Sequence, residues 1–272
     1  MYEVTDYEQK DGAIRVKAVK ESPLPLFLEG AVRYMKMPGA ALSPAELHAR
    51  GKESPLFDKD LRMYKVNSSL AESSFELGRC RAFTPGWLEN ESIWLHMEYK
   101  YLLGLLRAGL YDEFFTAFHD AGVPFLDPEH YGRSPLENSS FIASSANPNP
   151  AFRGKGFVAR LSGSTAEFVQ MWQIMMFGEQ PFTVENGTLM FRPQPAIPAY
   201  LIGESGVDCT LLGRTAVHYK AAGELVPGVS AIREIIVHWA DGASETFSGG
   251  QVSGKAAERI RSREAASIEI AF

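Results

Sequence analysis

A row of small polar residues that could bind an anion lies between Arg160 and Thr165, in the segment RLSGST. If Ser162, Gly163 and Ser164 begin a helix, its first N–H groups and positive dipole end would favour a phosphate-like ligand. Gly163 would let the ligand approach the backbone, and the Arg160 guanidinium would add a bidentate contact. Serine and threonine also cap helices that bind nothing, so a well-capped helix is the alternative.

A second candidate donor is His96, in the segment WLHMEYKY. An imidazole changes charge near neutral pH and could donate to a phosphate or to a sugar hydroxyl. The aromatic neighbours Trp94 and Tyr99 fit a histidine packed in the core equally well. Glu98 and Lys100 fit solvated charges on the same helix.

A third group of candidates lies in the loop-rich stretch from Val123 to Lys155, which is dense in Pro, Asn, Ser and Gly. Loops of this length are usually functional or disordered. Arg133 and Glu137 stand there beside Tyr131, and polar groups next to aromatic rings are typical of sugar pockets. A surface loop rich in turn-forming residues is the alternative.

Other common chemistries lack a pattern in this sequence. There is no glycine-rich phosphate loop, no Ser/His/Asp order and no metal-ligand spacing around Cys80 or Cys209. The helical carboxylates Asp112 and Glu113 have no partner spaced for acid–base work. Residue types and spacing alone therefore reach a possible anion site and no catalytic group.

Composition excludes two classes of partner. The net charge is −6 and no lysine or arginine cluster could follow a nucleic-acid backbone. The first twenty residues are too polar for a signal peptide, and no apolar run approaches a membrane span. Two distant cysteines suit a reducing compartment, so a cytoplasmic protein is expected.

Helices must position most of these residues, because helical patterns predominate in the chain up to about residue 180. The strongest combines apolar spacing at Phe168, Met171, Trp172, Met175 and Met176 with a stop at Gly178. The other predicted helices are Glu29–Met37, a capping-box helix from Ser43 through Arg50, Asn90–Gly109 and Tyr111–Gly122.

Short β patterns replace the helices after Gln180. Asn186-Gly187 and Asp241-Gly242 are strong hairpin turns, and the chain ends on the strand-like segment SIEIAF. This block predicts an antiparallel sandwich or jelly roll. The expected fold class is therefore α+β and multidomain, with a helical domain over residues 1–180 and a β domain over residues 181–272.

Five segments in order resemble the C-terminal portion of the cellobiose phosphorylase family, which includes chitobiose and cyclic β-1,2-glucan enzymes. They are SPLFDKDLRMYK, GWLENESIWLH, SPLENSSFIASS, RLSGSTAEFVQMWQIMMFGEQPF and TLMFRPQPAIPAY. The resemblance spans about Glu53 to Tyr219. It implies helices of a partial (α/α)₆ barrel followed by a C-terminal jelly roll.

The resemblance also implies roles for individual residues. His96 falls at the histidine of a Glu-Asn-Gly-Gly-x-x-x-His-like stretch that contacts phosphate, although Glu91 and Ser92 replace the two glycines. Ser162-Gly163 falls at a phosphate-binding Thr-Gly pair, with Ser164 beside it. The substrate-binding residues would be Arg160 and Glu137, the latter at an acidic position of a Glu-Pro-Tyr-like segment that the sequence otherwise does not keep.

The implied activity is phosphorolysis. Inorganic phosphate, as co-substrate and without any cofactor, would attack a β-glucoside and release α-glucose 1-phosphate with inversion. The family's catalytic acid belongs to a Gly-Asp-Trp-Asn-Asp-like motif that is expected upstream of this chain, so no catalytic residue is assigned here and the isolated chain is expected to be inactive. Its partners would be a β-linked disaccharide or oligosaccharide, phosphate, and either a second copy or the missing N-terminal portion.

Two other functions stay open at the level of sequence. The chain could be a non-catalytic module that binds carbohydrate or an anion. It could also belong to an inverting glycoside hydrolase, which needs two carboxylates about 6.5–9.5 Å apart. Glu137 and Asp127 are the only rough candidates for such a pair.

Overall fold

The computed structural model describes residues 2–159, 162–220 and 225–272. The described part is a mixture of helices and mainly antiparallel sheets, which confirms the α+β class. Its helices are α1 (Leu28–Met35), α2 (Pro44–Glu53), α3 (Arg79–Ala82), α4 (Leu95–Arg107), α5 (Tyr111–Ala121), α6 (Pro128–Tyr131), α7 (Ser162–Phe177) and α8 (Gly254–Arg261).

Most strands in the described part are short, and the longer ones lie at the two ends of the chain. They are β1 (Tyr2–Lys10), β2 (Ala13–Glu21), β3 (Phe57–Asp58), β4 (Met63–Tyr64), β5 (Ile93–Trp94), β6 (Ser139–Ile142), β7 (Gly156–Ala159), β8 (Phe182–Glu185), β9 (Thr188–Phe191), β10 (Val207–Leu211), β11 (Thr215–Lys220), β12 (Glu234–Trp239), β13 (Ser244–Ser248), β14 (Val252–Ser253) and β15 (Ala265–Ala271). None of the described helices combines the length and apolar character that crossing a membrane requires.

Two compact units divide the chain, and each combines two separate segments. The first unit comprises Met1–Glu98 and Leu126–Ala159, and the second comprises Tyr99–Phe125 and Arg160–Phe272. The predicted domains, residues 1–180 and 181–272, stay a prediction.

The first unit contains a β1–β2 hairpin and a three-stranded sheet in the order β5-β6-β7. Neither was predicted from the sequence. The three-stranded sheet carries an aromatic cluster, in which the Trp87 ring lies 5.0 Å from Phe141 and 4.4 Å from Phe157, centroid to centroid. The capping box at α2 is confirmed, because the Ser43 side chain accepts from the Glu46 N–H and the Glu46 carboxylate accepts from the Ser43 N–H.

Helix α4 begins later than predicted. The expected start was Asn90, whereas residues 93 and 94 form strand β5 and the helix starts at Leu95. Pairing of Trp94 with Phe141 of β6 holds this segment extended. From Leu95 onward the prediction holds, and the apolar residues of α4 are buried around most of its circumference.

The second unit packs α5 and α7 through aromatic rings. Phe118 of α5 lies 6.2 Å from Phe168 and 5.9 Å from Trp172. Met171 and Met175 are fully buried, so the predicted apolar stripe of α7 is confirmed. The helix ends at Phe177, and the Gly178 that follows has a left-handed φ of 82°, as the sequence indicated.

The last ninety residues form two sheets, one of five strands in the order β10-β11-β15-β12-β13 and one of three in the order β14-β9-β8. Both predicted hairpin turns are present, at Asn186-Gly187 and at Asp241-Gly242. The expectation of antiparallel pairing throughout is wrong for one pair, because β15 runs parallel to β11. The unpredicted helix α8 precedes β15, which is inserted between β11 and β12.

Gly86 allows a close backbone contact beside the aromatic cluster. Its φ is +74°, and a Cβ atom there would lie 2.4 Å from the backbone nitrogen of Asn147. We expect Gly86→Ala to lower the free energy of unfolding by about 2–4 kcal/mol, from left-handed strain plus the clash. Gly109, with φ +73° and open space around it, is the matched control. Gly109→Ala should cost only about 1–2 kcal/mol, and equal losses in urea titrations would contradict the close contact.

Candidate functional site

His96 lies in the first turn of α4 and is half-buried. Its ring meets the Trp94 ring edge to face, with centroids 5.7 Å apart and planes at 88°. The Trp94 ring is itself fixed, because its Nε1–H donates to the Leu88 carbonyl at 2.9 Å. The histidine that the sequence singled out is thus oriented by a neighbouring aromatic residue.

The backbone before His96 is left-handed at Glu91, where φ is +60°. This region favours glycine, and a glutamate is unusual in it. Its N–H donates to Asn67 Oδ1 at 2.7 Å, and its carboxylate pairs with Lys65 Nζ at 3.0 Å. Both side chains of the ion pair are nearly buried, at 13% and 11% exposure. These partners hold a conformation that the residue type disfavours, and sequence reasoning did not identify them.

Glu137 is held by Arg133, whose Nη2 lies 2.8 Å from its Oε1. The buried Tyr131 shapes this loop, since its hydroxyl donates to the Glu137 carbonyl and accepts from the Ser139 N–H. Burial also raises the pKa of the Tyr131 hydroxyl. The structure therefore brings Arg133 and Glu137 together and leaves the Glu137 side chain partly exposed.

Glu98 is not the solvated helix charge that the sequence analysis expected. Its side chain is fully buried, and its Oε2 accepts the Tyr64 N–H at 2.9 Å. Its Oε1 has no hydrogen-bond partner in the described part of the chain. Burial raises the pKa of this carboxyl to about 8. The signal was present in the sequence, because a helix that is apolar on most sides leaves little exposed surface for a charge.

The other predicted anion ligands lie at the start of α7. The helix begins at Ser162, Gly163 is half-buried and Ser164 is 1% exposed. The first N–H groups of any helix lack acceptors within it, so this end can supply donors. Arg160 and the side chain of Ser162 lie outside the described residues.

The predicted residues belong to both compact units. His96, Arg133 and Glu137 are in the first unit, and the start of α7 is in the second. Among the described residues, no group of three His, Cys, Asp or Glu side chains is placed to hold a metal ion. Each unit by itself thus carries one of the predicted groups: an imidazole in the first and a helix start in the second.

Comparisons with known proteins find no family model that matches this chain and no match among curated sequences.

The raised pKa of Glu98 makes stability depend on pH. In the folded chain the Glu98 carboxyl keeps its proton up to about pH 8, whereas the ordinary pKa of a glutamate is 4.5. The unfolded chain releases the proton first, so rising pH should lower the free energy of unfolding by about 1.4 kcal/mol per pH unit between these values. Glu98→Gln keeps an acceptor for Tyr64 and should remove this loss.

Urea titrations at pH 5 and pH 8 check this prediction. We expect the stability of Glu98→Gln relative to the native chain to rise with pH. Glu98→Ala, which lacks the acceptor and leaves a cavity, should be destabilised at both pH values. A Gln variant whose stability differs from the native chain by the same amount at pH 5 and pH 8 would show that Glu98 is ionised in the folded protein.

Two variants distinguish the contribution of the buried Lys65–Glu91 ion pair to stability from that of the left-handed backbone at Glu91. Lys65→Ala leaves the Glu91 carboxylate without its cation and should cost about 2–4 kcal/mol. Adding Glu91→Gly removes that charge and places glycine at φ +60°, so the double variant should regain at least about 1 kcal/mol. Unfolding in urea gives both values. A double variant less stable than Lys65→Ala would contradict this account.

Proposed function

We propose that this chain carries the phosphate-binding part of an inverting glycoside phosphorylase. Phosphate would attack the anomeric carbon of a β-glucoside and release α-glucose 1-phosphate. In this proposal the helices belong to a partial (α/α)₆ barrel and the terminal strands to a jelly roll. The partners would be a β-linked disaccharide or oligosaccharide and phosphate, in the cytoplasm.

The observation that carries the proposal is the start of the sixteen-residue helix α7 at Ser162. The Ser-Gly pair of the resemblance thereby falls in the first turn, where backbone N–H groups and the helix dipole favour an anion. The half-buried Gly163 carries no side chain that would obstruct an approaching phosphate oxygen.

The left-handed backbone at Glu91 supports the assignment of His96. The family stretch has glycine where this chain has a residue with positive φ, a conformation that glycine adopts readily. Five residues further on, the His96 imidazole would be a donor to the proposed phosphate ligand, as the resemblance implies.

The proposed chemistry depends on positioning. Phosphate is itself the nucleophile, so the protein must hold it desolvated beside the sugar and supply donors that do not compete as nucleophiles. Amide N–H groups and an imidazole meet that requirement. Arg160 and Glu137 would contact the substrate, with Glu137 oriented by Arg133. The general acid is proposed to lie outside this chain, which would then be inactive alone.

Phosphate binding tests the site directly. Titration calorimetry of the chain with inorganic phosphate should give saturable binding, and His96→Ala should weaken it by about tenfold or more. His119→Ala removes an imidazole from α5 that the proposal does not use, and should leave the affinity unchanged. Gly163→Asp should also weaken binding, while its carboxylate at the helix start favours the helix itself.

Two results would reject the phosphate site. One is equal phosphate affinity in the native chain, His96→Ala and Gly163→Asp. The other is saturable binding of β-glucan oligomers with no phosphate binding, which would favour the non-catalytic module.

The activity itself requires a polypeptide that joins this chain to the proposed acid. Incubated with β-linked glucose disaccharides, it should release glucose 1-phosphate only when phosphate is present. Sugar release at the same rate without phosphate would instead indicate an inverting hydrolase. Loss of activity in His96→Ala with retained folding would connect the reaction to the binding result.

A further inference from the structure

One edge of the five-stranded sheet is open. The sheet ends at β10, and no strand of the described residues pairs with the outer edge of β10. Side chains alternate along this strand: Val207 and Cys209 are half-buried and Leu211 is buried, whereas Asp208 and Thr210 are exposed. The buried face packs on α7, because the hydroxyl of Tyr219 on the neighbouring strand donates to the Met176 carbonyl.

A large groove lies beside this open edge. It has a volume of about 1250 Å³, and its lining combines apolar side chains such as Trp172, Met176 and Phe182 with the charged Glu179 and Arg261 and with strand β10. Sites for small ligands usually enclose about 300–1,000 Å³. The groove is therefore large for a small molecule, and every residue of β10 contributes to its lining.

At the opposite edge of the same sheet, polar side chains protect strand β13 against pairing with other strands. Strand β13 reads Ser-Glu-Thr-Phe-Ser and is exposed except at Phe247, which is half-buried. Polar and charged side chains discourage other strands from adding to an edge. The β10 edge combines backbone groups that pair with no strand of the described residues and apolar side chains in the adjoining groove, and an added strand would pair with the former and cover the latter.

The sequence of β10 is complementary to itself in one antiparallel register. With Cys209 opposite Cys209 of a second copy, Val207 faces Leu211 and Asp208 faces Thr210 across the pair. Apolar residues then meet on the groove side and a carboxylate meets a hydroxyl on the exposed side. A register centred on Asp208 would instead set two carboxylates opposite each other, which is unfavourable.

We propose that β10 pairs antiparallel with β10 of a second copy about a two-fold axis at Cys209, joining two five-stranded sheets into one of ten strands. A two-fold axis normal to the sheet keeps inner side chains on the inner face, so the apolar residues of each β10 fill the groove of the other copy. This interface is independent of the phosphorylase proposal, because it uses none of the proposed phosphate or sugar ligands.

Sedimentation velocity of the full chain over a range of concentrations tests the association. The native chain should form dimers reversibly. Thr210→Asp places a carboxylate opposite Asp208 twice in each dimer and should weaken association on the order of tenfold. Thr210→Lys, at the same exposed position, places a cation there and should strengthen it in a manner that added salt reduces.

Hydrogen exchange identifies the surface. Amides of β10 should become more protected as the protein concentration rises, while amides of β13, the other edge of the same sheet, should not change. A chain that stays monomeric, a dimer with unchanged exchange in β10, or Thr210→Asp and Thr210→Lys shifting association in the same direction would each overturn the proposal. Opposite shifts cannot come from misfolding, which both variants would share.

Discussion

The fold of the first unit depends on how residues 64–67 hold residues 89–98. Lys65 pairs with the Glu91 carboxylate, the Val66 N–H donates to the Ser92 carbonyl at 2.7 Å, and Asn67 accepts the Glu91 N–H. Together these contacts compensate a left-handed backbone at a residue that is not glycine. Because that turn sets the direction of β5, it also sets where α4 begins and where the His96 ring points.

The same segment holds two buried carboxyls in different surroundings. Glu91 is nearly buried and pairs with the ammonium group of Lys65. Glu98, seven residues later, accepts the Tyr64 N–H as its one hydrogen bond among the described residues, and burial raises its pKa to about 8. A backbone hydrogen bond favours the ionised form but is weaker here than the loss of hydration. The first turn of α4 is therefore anchored by the Glu98 carboxyl, which is mostly protonated and uncharged at neutral pH.

Local signals predicted the elements that depend on local chemistry. The capping box at Ser43, the stop at Gly178 and the turn at Asn186-Gly187 each involve residues within a few positions of one another. The parallel pairing of β15 with β11 and the hydrogen bond from the Tyr64 N–H to Glu98 depend on contacts far along the chain. Residues such as Lys65 and Asn67 belong to no sequence motif. Their contacts with Glu91, which hold the backbone before His96, could therefore not be predicted before the fold was known.

An anion site in this chain has to use short-range donors. The net charge is −6, so the overall field does not attract phosphate. Several cations are also engaged by carboxylates, among them Lys65 with Glu91, Arg133 with Glu137 and Arg107 with Glu179. A cation in such a pair offers little to a ligand unless the pair breaks. Amide groups at a helix start attract distant carboxylates less strongly than a lysine does. Their partial charges act only within the first turn. In the proposed reaction, phosphate would arrive, react and leave as an ester, and donors of this kind would bind it without recruiting a competing internal anion.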